Sequence, residues 1–143
     1  NFLYFYKAMI PEIDVRGCIA KKMREGSLDF DFEADETLLD IPFVKFAGPV
    51  RAALVYTVLD DFSVEVRGEI AFTLLGECSR CLKEAKQEIV YQAEGLFERG
   101  EGDGETYGYR NGKVTLDEFL RDSVMFALPP RLLCEACEQW ENE

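Results

Sequence analysis

Four of the chain's five cysteines fall into two C-x-x-C pairs, Cys78/Cys81 and Cys134/Cys137. A C-x-x-C turn brings two thiolates to one side of a short knuckle, where backbone N–H groups can support negative sulfur. Two such knuckles complete the tetrahedral four-thiolate shell that Zn²⁺ favours. Between Cys81 and Cys134 lie 52 residues, far more than the spacer of a compact zinc ribbon, so the tertiary fold has to bring the knuckles together. Three readings follow. One is a structural zinc clamp, a single ion tying a helix end to a sheet. Another is unmetallated thiols or two local disulfides. The third is a redox dithiol, with Cys78-Ser79-Arg80-Cys81 following a strand and Arg80 lowering a thiol pKa. Alternating strands around the pair, rather than βαβ units, count against this last reading. Cys18 has no sequence partner and reads as a small, half-buried apolar residue.

The elements that must position these cysteines are mostly strands. Leu28, Phe30 and Phe32 alternate with Asp29, Asp31 and Glu33, as in a strand with one wet face. The run Leu54–Leu59 leads through Asp60-Asp61, a tight turn, into Phe62, Val64, Val66, Ile70, Phe72 and Leu74, all on one face of a second strand. This pattern is a long β-hairpin. Ile89, Tyr91, Ala93 and Phe97 mark a further strand. Residues 99–113, rich in Gly and polar groups, read as a flexible loop with Asn111-Gly112 as a turn. Thr115 and Glu118 form a capping box for a helix carrying Leu116, Phe119, Leu120, Ser123, Val124 and Ala127, stopped by Pro129-Pro130. The expected fold is therefore α+β with β dominant: an antiparallel sheet, as a sandwich or partly closed barrel, packed by one C-terminal helix.

At 143 residues, 48% of them apolar, the chain fits one globular domain, expected over residues 9–143. Residues 1–8 read as a non-native leader before Met9. With no histidine, a Ser-His-Asp triad, a Cys-His pair and His-ligated metal have no place in this chain. Neither common glycine-rich phosphate cradle is present. A net charge of −12 disfavours non-specific nucleic-acid binding through a broad basic face. No apolar run or signal-like segment calls for a membrane, and the expected compartment is the cytoplasm.

Weaker signals have plainer explanations. Asp29, Asp31, Glu33 and Asp40 imitate spaced calcium ligands, but Ala34 stands where such a loop needs Gly. Arg51, Arg67, Arg80 and Lys83 offer a local basic strip for RNA or a protein partner, against the plainer reading of scattered solvated charge. Tyr107, Tyr109 and Arg110 could stack on unpaired bases. Trp140, in the acidic tail Glu135–Glu143, either covers the sheet or docks on a partner.

The segment Gly48–Cys81, opening Gly-Pro-Val, passing Val-Arg-Gly-Glu and ending Cys-Ser-Arg-Cys, resembles the YceD-like family. Leu-Arg-Asp-Ser-Val-Met-Phe-Ala-Leu-Pro, then Leu133-Cys134, is similar to that family's second signature. By position, Cys78, Arg80 and Cys81 match the first motif, and Pro129 and Cys134 the second. The resemblance implies a bacterial and plastid protein needed for accumulation of large-subunit ribosomal RNA. It implies a non-enzymatic ribosome-biogenesis factor whose partner is pre-ribosomal large-subunit RNA or a basic ribosomal protein, with no small-molecule substrate. The rival readings from the residues are a thiol-disulfide oxidoreductase using Cys78/Cys81 and a scaffold with purely structural cysteines.

Overall fold

A computed structural model describes residues 10–141. The leader expected at residues 1–8 and the start at Met9 lie outside them. The chain runs β1 (Ile13–Asp14), α1 (Val15–Ala20), β2 (Glu25–Phe32), a 3-10 turn (Glu36–Leu38), β3 (Val44–Phe46), β4 (Val50–Val58) and β5 (Val64–Glu77). It continues through β6 (Glu84–Arg99), β7 (Tyr107–Tyr109), β8 (Lys113–Val114), α2 (Asp117–Ala127) and α3 (Glu135–Glu141). The α+β, strand-dominated class is the one the chain adopts. Five strands of the main sheet stand in the order β2-β4-β5-β6-β7, with β3 also paired to β5, and β1 with β8 forms a separate two-stranded sheet.

The expected hairpin is β4–β5, in register from Val58↔Val64 to Arg51↔Ala71. Its two-residue alternation puts Val64, Val66, Ile70, Phe72 and Leu74 in the core. Phe62, expected on that same face, instead sits in the turn at φ 67. Next, β5 and β6 pair antiparallel over fourteen positions, from Val64↔Phe97 to Glu77↔Glu84. This second, longer hairpin carries Cys78 and Cys81 at its tip, because the tip connects Glu77 to Glu84.

Three sequence expectations give way to tertiary packing. The Gly-rich stretch 99–113 is ordered in its second half: β7 runs parallel to β6, and Asn111 and Gly112, both at positive φ, turn the chain into β8. Here Phe97 stacks on Tyr107 (centroids 5.0 Å) and Phe119 meets both rings edge-on at 5.9 Å, giving an otherwise polar segment an apolar anchor. Second, the capping box is not made: α2 begins at Asp117 behind Leu116, which has no side-chain cap bond. Leu116 is itself fully buried, so core packing sets the boundary instead. Third, two short helices join α2. In α1, Asp14 accepts a bond from the Gly17 N–H (3.0 Å), a local cap that leaves no hydrophobic periodicity to read. In α3 no residue is buried, so no apolar stripe announces it.

Candidate metal centre

The tip of the β5–β6 hairpin is a closed turn. The Cys78 N–H donates to the Lys83 carbonyl (2.8 Å) and the Leu82 N–H donates back to the Cys78 carbonyl (2.9 Å). The Cys81 N–H points at the Cys78 sulfur, 3.5 Å away. This is the amide-to-sulfur contact that a C-x-x-C knuckle uses to hold a thiolate. The second pair arrives after α2 ends at Ala127. Pro129 and Pro130 carry the chain away from the helix, and Leu132 is fully buried. The Leu132 carbonyl accepts from the Ser79 N–H (2.8 Å), a backbone bond that joins the two knuckles directly. Cys134 opens α3, its carbonyl accepting from Glu138 N–H (2.9 Å).

The result is that the sulfurs of Cys78, Cys81, Cys134 and Cys137 lie within 4.8 Å of one another, with Cys81 and Cys134 only 3.7 Å apart. A tetrahedron with metal–sulfur bonds of about 2.3 Å has edges of roughly 3.8 Å, so the four positions match a metal-binding shell. None of the four is in a disulfide, which corrects the reading of two local disulfides. Electrostatics agree with the geometry. The Cys81 amide, then the Cys134 amide, draw the Cys78 thiol down to about 6. The Cys137 thiol is pushed up to about 12, first by its hydrogen bond with the Cys134 thiol and then by burial. Four sulfurs this close cannot all be anionic without a cation among them. The four cysteines are thus placed to hold a metal ion.

For the redox reading the surroundings are unfavourable. The chain after Cys81 enters the sixteen-residue strand β6, so the pair is not followed by a helix of its own as in a βαβ redox motif. The thiol with the lowered pKa, Cys78, is fully buried, whereas Cys81 is exposed.

Other sequence candidates scatter. Arg80 is exposed on the knuckle, and its guanidinium carbon lies over the Trp140 ring, 3.3 Å from the centroid. Lys83 is exposed on the same turn. Arg51 and Arg67 stand on the outer face of the sheet, level with Ala71 and Val55. Those levels are roughly 23 and 36 Å along β5 from Cys78 at a strand rise of about 3.3 Å. Their cross-strand neighbours are Asp31 and Glu94, so the four cations make no common patch. Tyr107 and Tyr109, read as base-stacking groups, face inward: Tyr107 donates to Asp122 (2.7 Å) and Tyr109, almost fully buried, to the Phe62 carbonyl. Arg110 is exposed and pairs with Glu101 at 3.2 Å. Cys18 is half-buried with its sulfur 3.9 Å from the Tyr56 hydroxyl, apart from the cluster. The Arg80–Trp140 pair was missed in the sequence, since nothing local ties positions so far apart. Among the described residues, no helix is long and apolar enough to cross a membrane.

No curated protein and no solved structure matches the chain. Residues 66–143, more than half of the chain and spanning both cysteine knuckles, match the family described as Large ribosomal RNA subunit accumulation protein YceD. The protein belongs to the YceD family.

Proposed function

We propose that this protein is a non-enzymatic cytoplasmic factor supporting accumulation of large-subunit ribosomal RNA, acting by binding pre-ribosomal RNA or a basic ribosomal protein. The observation that carries this reading is the family match over residues 66–143, which takes in the hairpin tip, α2 and all four clustered cysteines. In this reading Cys78, Cys81, Cys134 and Cys137 hold one structural zinc ion. When bound, it neutralises the thiolates and fastens the C-terminal segment to the β5–β6 tip. The acidic body turns away non-specific RNA, while Arg80 and Lys83 beside the cluster offer a confined cationic contact.

The test is depletion of the protein in its host cell. A selective fall in large- relative to small-subunit ribosomal RNA, rescued by the intact gene, is the expected result. The double variant Arg80→Glu with Lys83→Glu should remain folded, fail to rescue, and lose co-sedimentation with pre-ribosomal particles. An unchanged RNA ratio would remove the proposal; full rescue by the variant would remove the contact.

A further inference from the structure

The β4–β5 turn sits at the opposite end of β5 from the cysteines, and beside it opens a cavity of about 450 Å³. That size falls in the range of small-ligand pockets. Val15, Ile19 and Ala20 on one side and Phe62 and Tyr109 on the other make its walls largely apolar. Two exposed guanidinium groups also line it, Arg16 and Arg99. The Arg99 guanidinium lies over the Phe62 ring, 5.0 Å from its centroid. Among the described residues neither arginine is in an ion pair.

The turn that forms one wall of the cavity is held in shape by specific contacts. Phe62 occupies left-handed backbone, φ 67, which a bulky side chain adopts only under restraint. The restraint comes from two sides: the Tyr109 hydroxyl donates to the Phe62 carbonyl, and Asp61 accepts from both the N–H (3.1 Å) and the hydroxyl (2.5 Å) of Ser63. The Asp61 carboxylate is thereby occupied within its own turn. On the far wall the Arg16 stem lies against Gly112, where any Cβ would come within 2.6 Å of Arg16 Cγ. Glycine there lets the arginine lie flat against the turn.

In a chain of net charge −12, an apolar cavity bearing two guanidinium groups that make no ion pair among the described residues selects a ligand that is anionic and carries a flat, apolar face. We propose that this cavity receives an unpaired nucleotide of single-stranded RNA. The base packs on Phe62 and the Arg99 plane, and the adjoining phosphates lie on Arg16 and Arg99. This deepens, and rests on, the ribosomal-RNA reading above, but it places the RNA contact at the sheet end remote from Arg80.

The test is fluorescence anisotropy of the full chain with labelled hexauridylate and hexaadenylate RNA across a salt series. Wild type should bind. Arg16→Ala with Arg99→Ala should weaken binding about tenfold or more and flatten the log–log salt slope by roughly 1.4, the value for two lost phosphate contacts on a single strand. Phe62→Gly, which relieves the strained backbone and so preserves the turn, should weaken binding about tenfold while leaving the salt slope unchanged. Unchanged affinity and slope in folded variants overturns the proposal, as does absence of binding by wild type. Loss of binding to purified basic ribosomal proteins, with RNA binding intact, overturns it in favour of a protein site. Pre-ribosomal co-sedimentation, measured in parallel, separates the two levels. If wild type and the arginine variant both sediment normally, the pocket fails alone; if wild type does not sediment, the ribosomal reading fails with it.

Discussion

Single side chains here act through what the fold puts beside them. Arg80 lies over the Trp140 ring across sixty positions of sequence, and with Arg80 in place Trp140 is still 60% exposed. Arg80→Ala should therefore shift the emission of this single tryptophan to longer wavelength as its ring gains solvent, with little change in stability. An unchanged spectrum would mean the stack is not maintained in solution. Asp61 gives a pH signature. The Ser63 hydroxyl, then the Ser63 amide, hold its carboxyl below the ordinary carboxylate range. Because the folded-state pKa is the lower one, its contribution is complete above the unfolded value of about 3.9 and is lost as pH falls through the depressed one. Asp61→Asn should accordingly flatten the acid limb of stability, the part lost as pH falls below the ordinary carboxylate range, measured by urea midpoints, and leave the loss above that range constant. The C-x-x-C spacing was enough to nominate all four cysteines; no spacing rule could nominate Trp140 or the carbonyl of Leu132.

At the scale of elements, the join that matters is α2 against β6. Phe119 is almost fully buried between Phe97 and Tyr107, and the backbone of β6 approaches it at Gly95. A Cβ at Gly95 would lie 2.8 Å from the Phe119 ring carbons, which are packed on both sides. Gly95→Ala should thus cost about 1–3 kcal/mol through overpacking, read by chemical denaturation. Pairing it with Phe119→Leu should recover part of that loss, whereas additive losses would show the contact is not the cause. Helix α2 was legible from its apolar spacing, but its start was not. Thr115 and Glu118 satisfy a local capping rule, yet the cap position falls on the buried Leu116, one residue later, with Glu118 inside the first turn. Likewise β7 and β8 lie in a stretch whose composition looks like loop, because the rings that anchor Tyr107 belong to residues before and after it.

For the molecule as a whole, the cysteine cluster stands where the segment after α2 meets one end of the sheet, and the core is built mainly from β4, β5, β6 and α2. The protein as purified should contain about one zinc per chain, measured by elemental analysis. Removing it with a chelator should raise amide exchange at 78–83 and 131–141 and leave β4 and the first half of β5 protected, since those strands have their own buried face. Uniform loss of protection would instead make the metal a condition for the whole fold, and unchanged exchange would mean it clamps nothing. What the sequence by itself determined is the set of local periodicities: the two-residue alternation of β4 and β5, the helical stripe of α2, the Asn111-Gly112 turn and the two C-x-x-C knuckles. Each of these depends on neighbours a few positions apart. The tertiary structure alone decided that Ser79 meets Leu132 and brings the knuckles into one shell. It also decided that Arg51 and Arg67 stand remote from Arg80, and that Arg16 and Arg99 flank a single cavity. Those are relations between residues tens of positions apart, set by strand register and by which surfaces the core requires to touch.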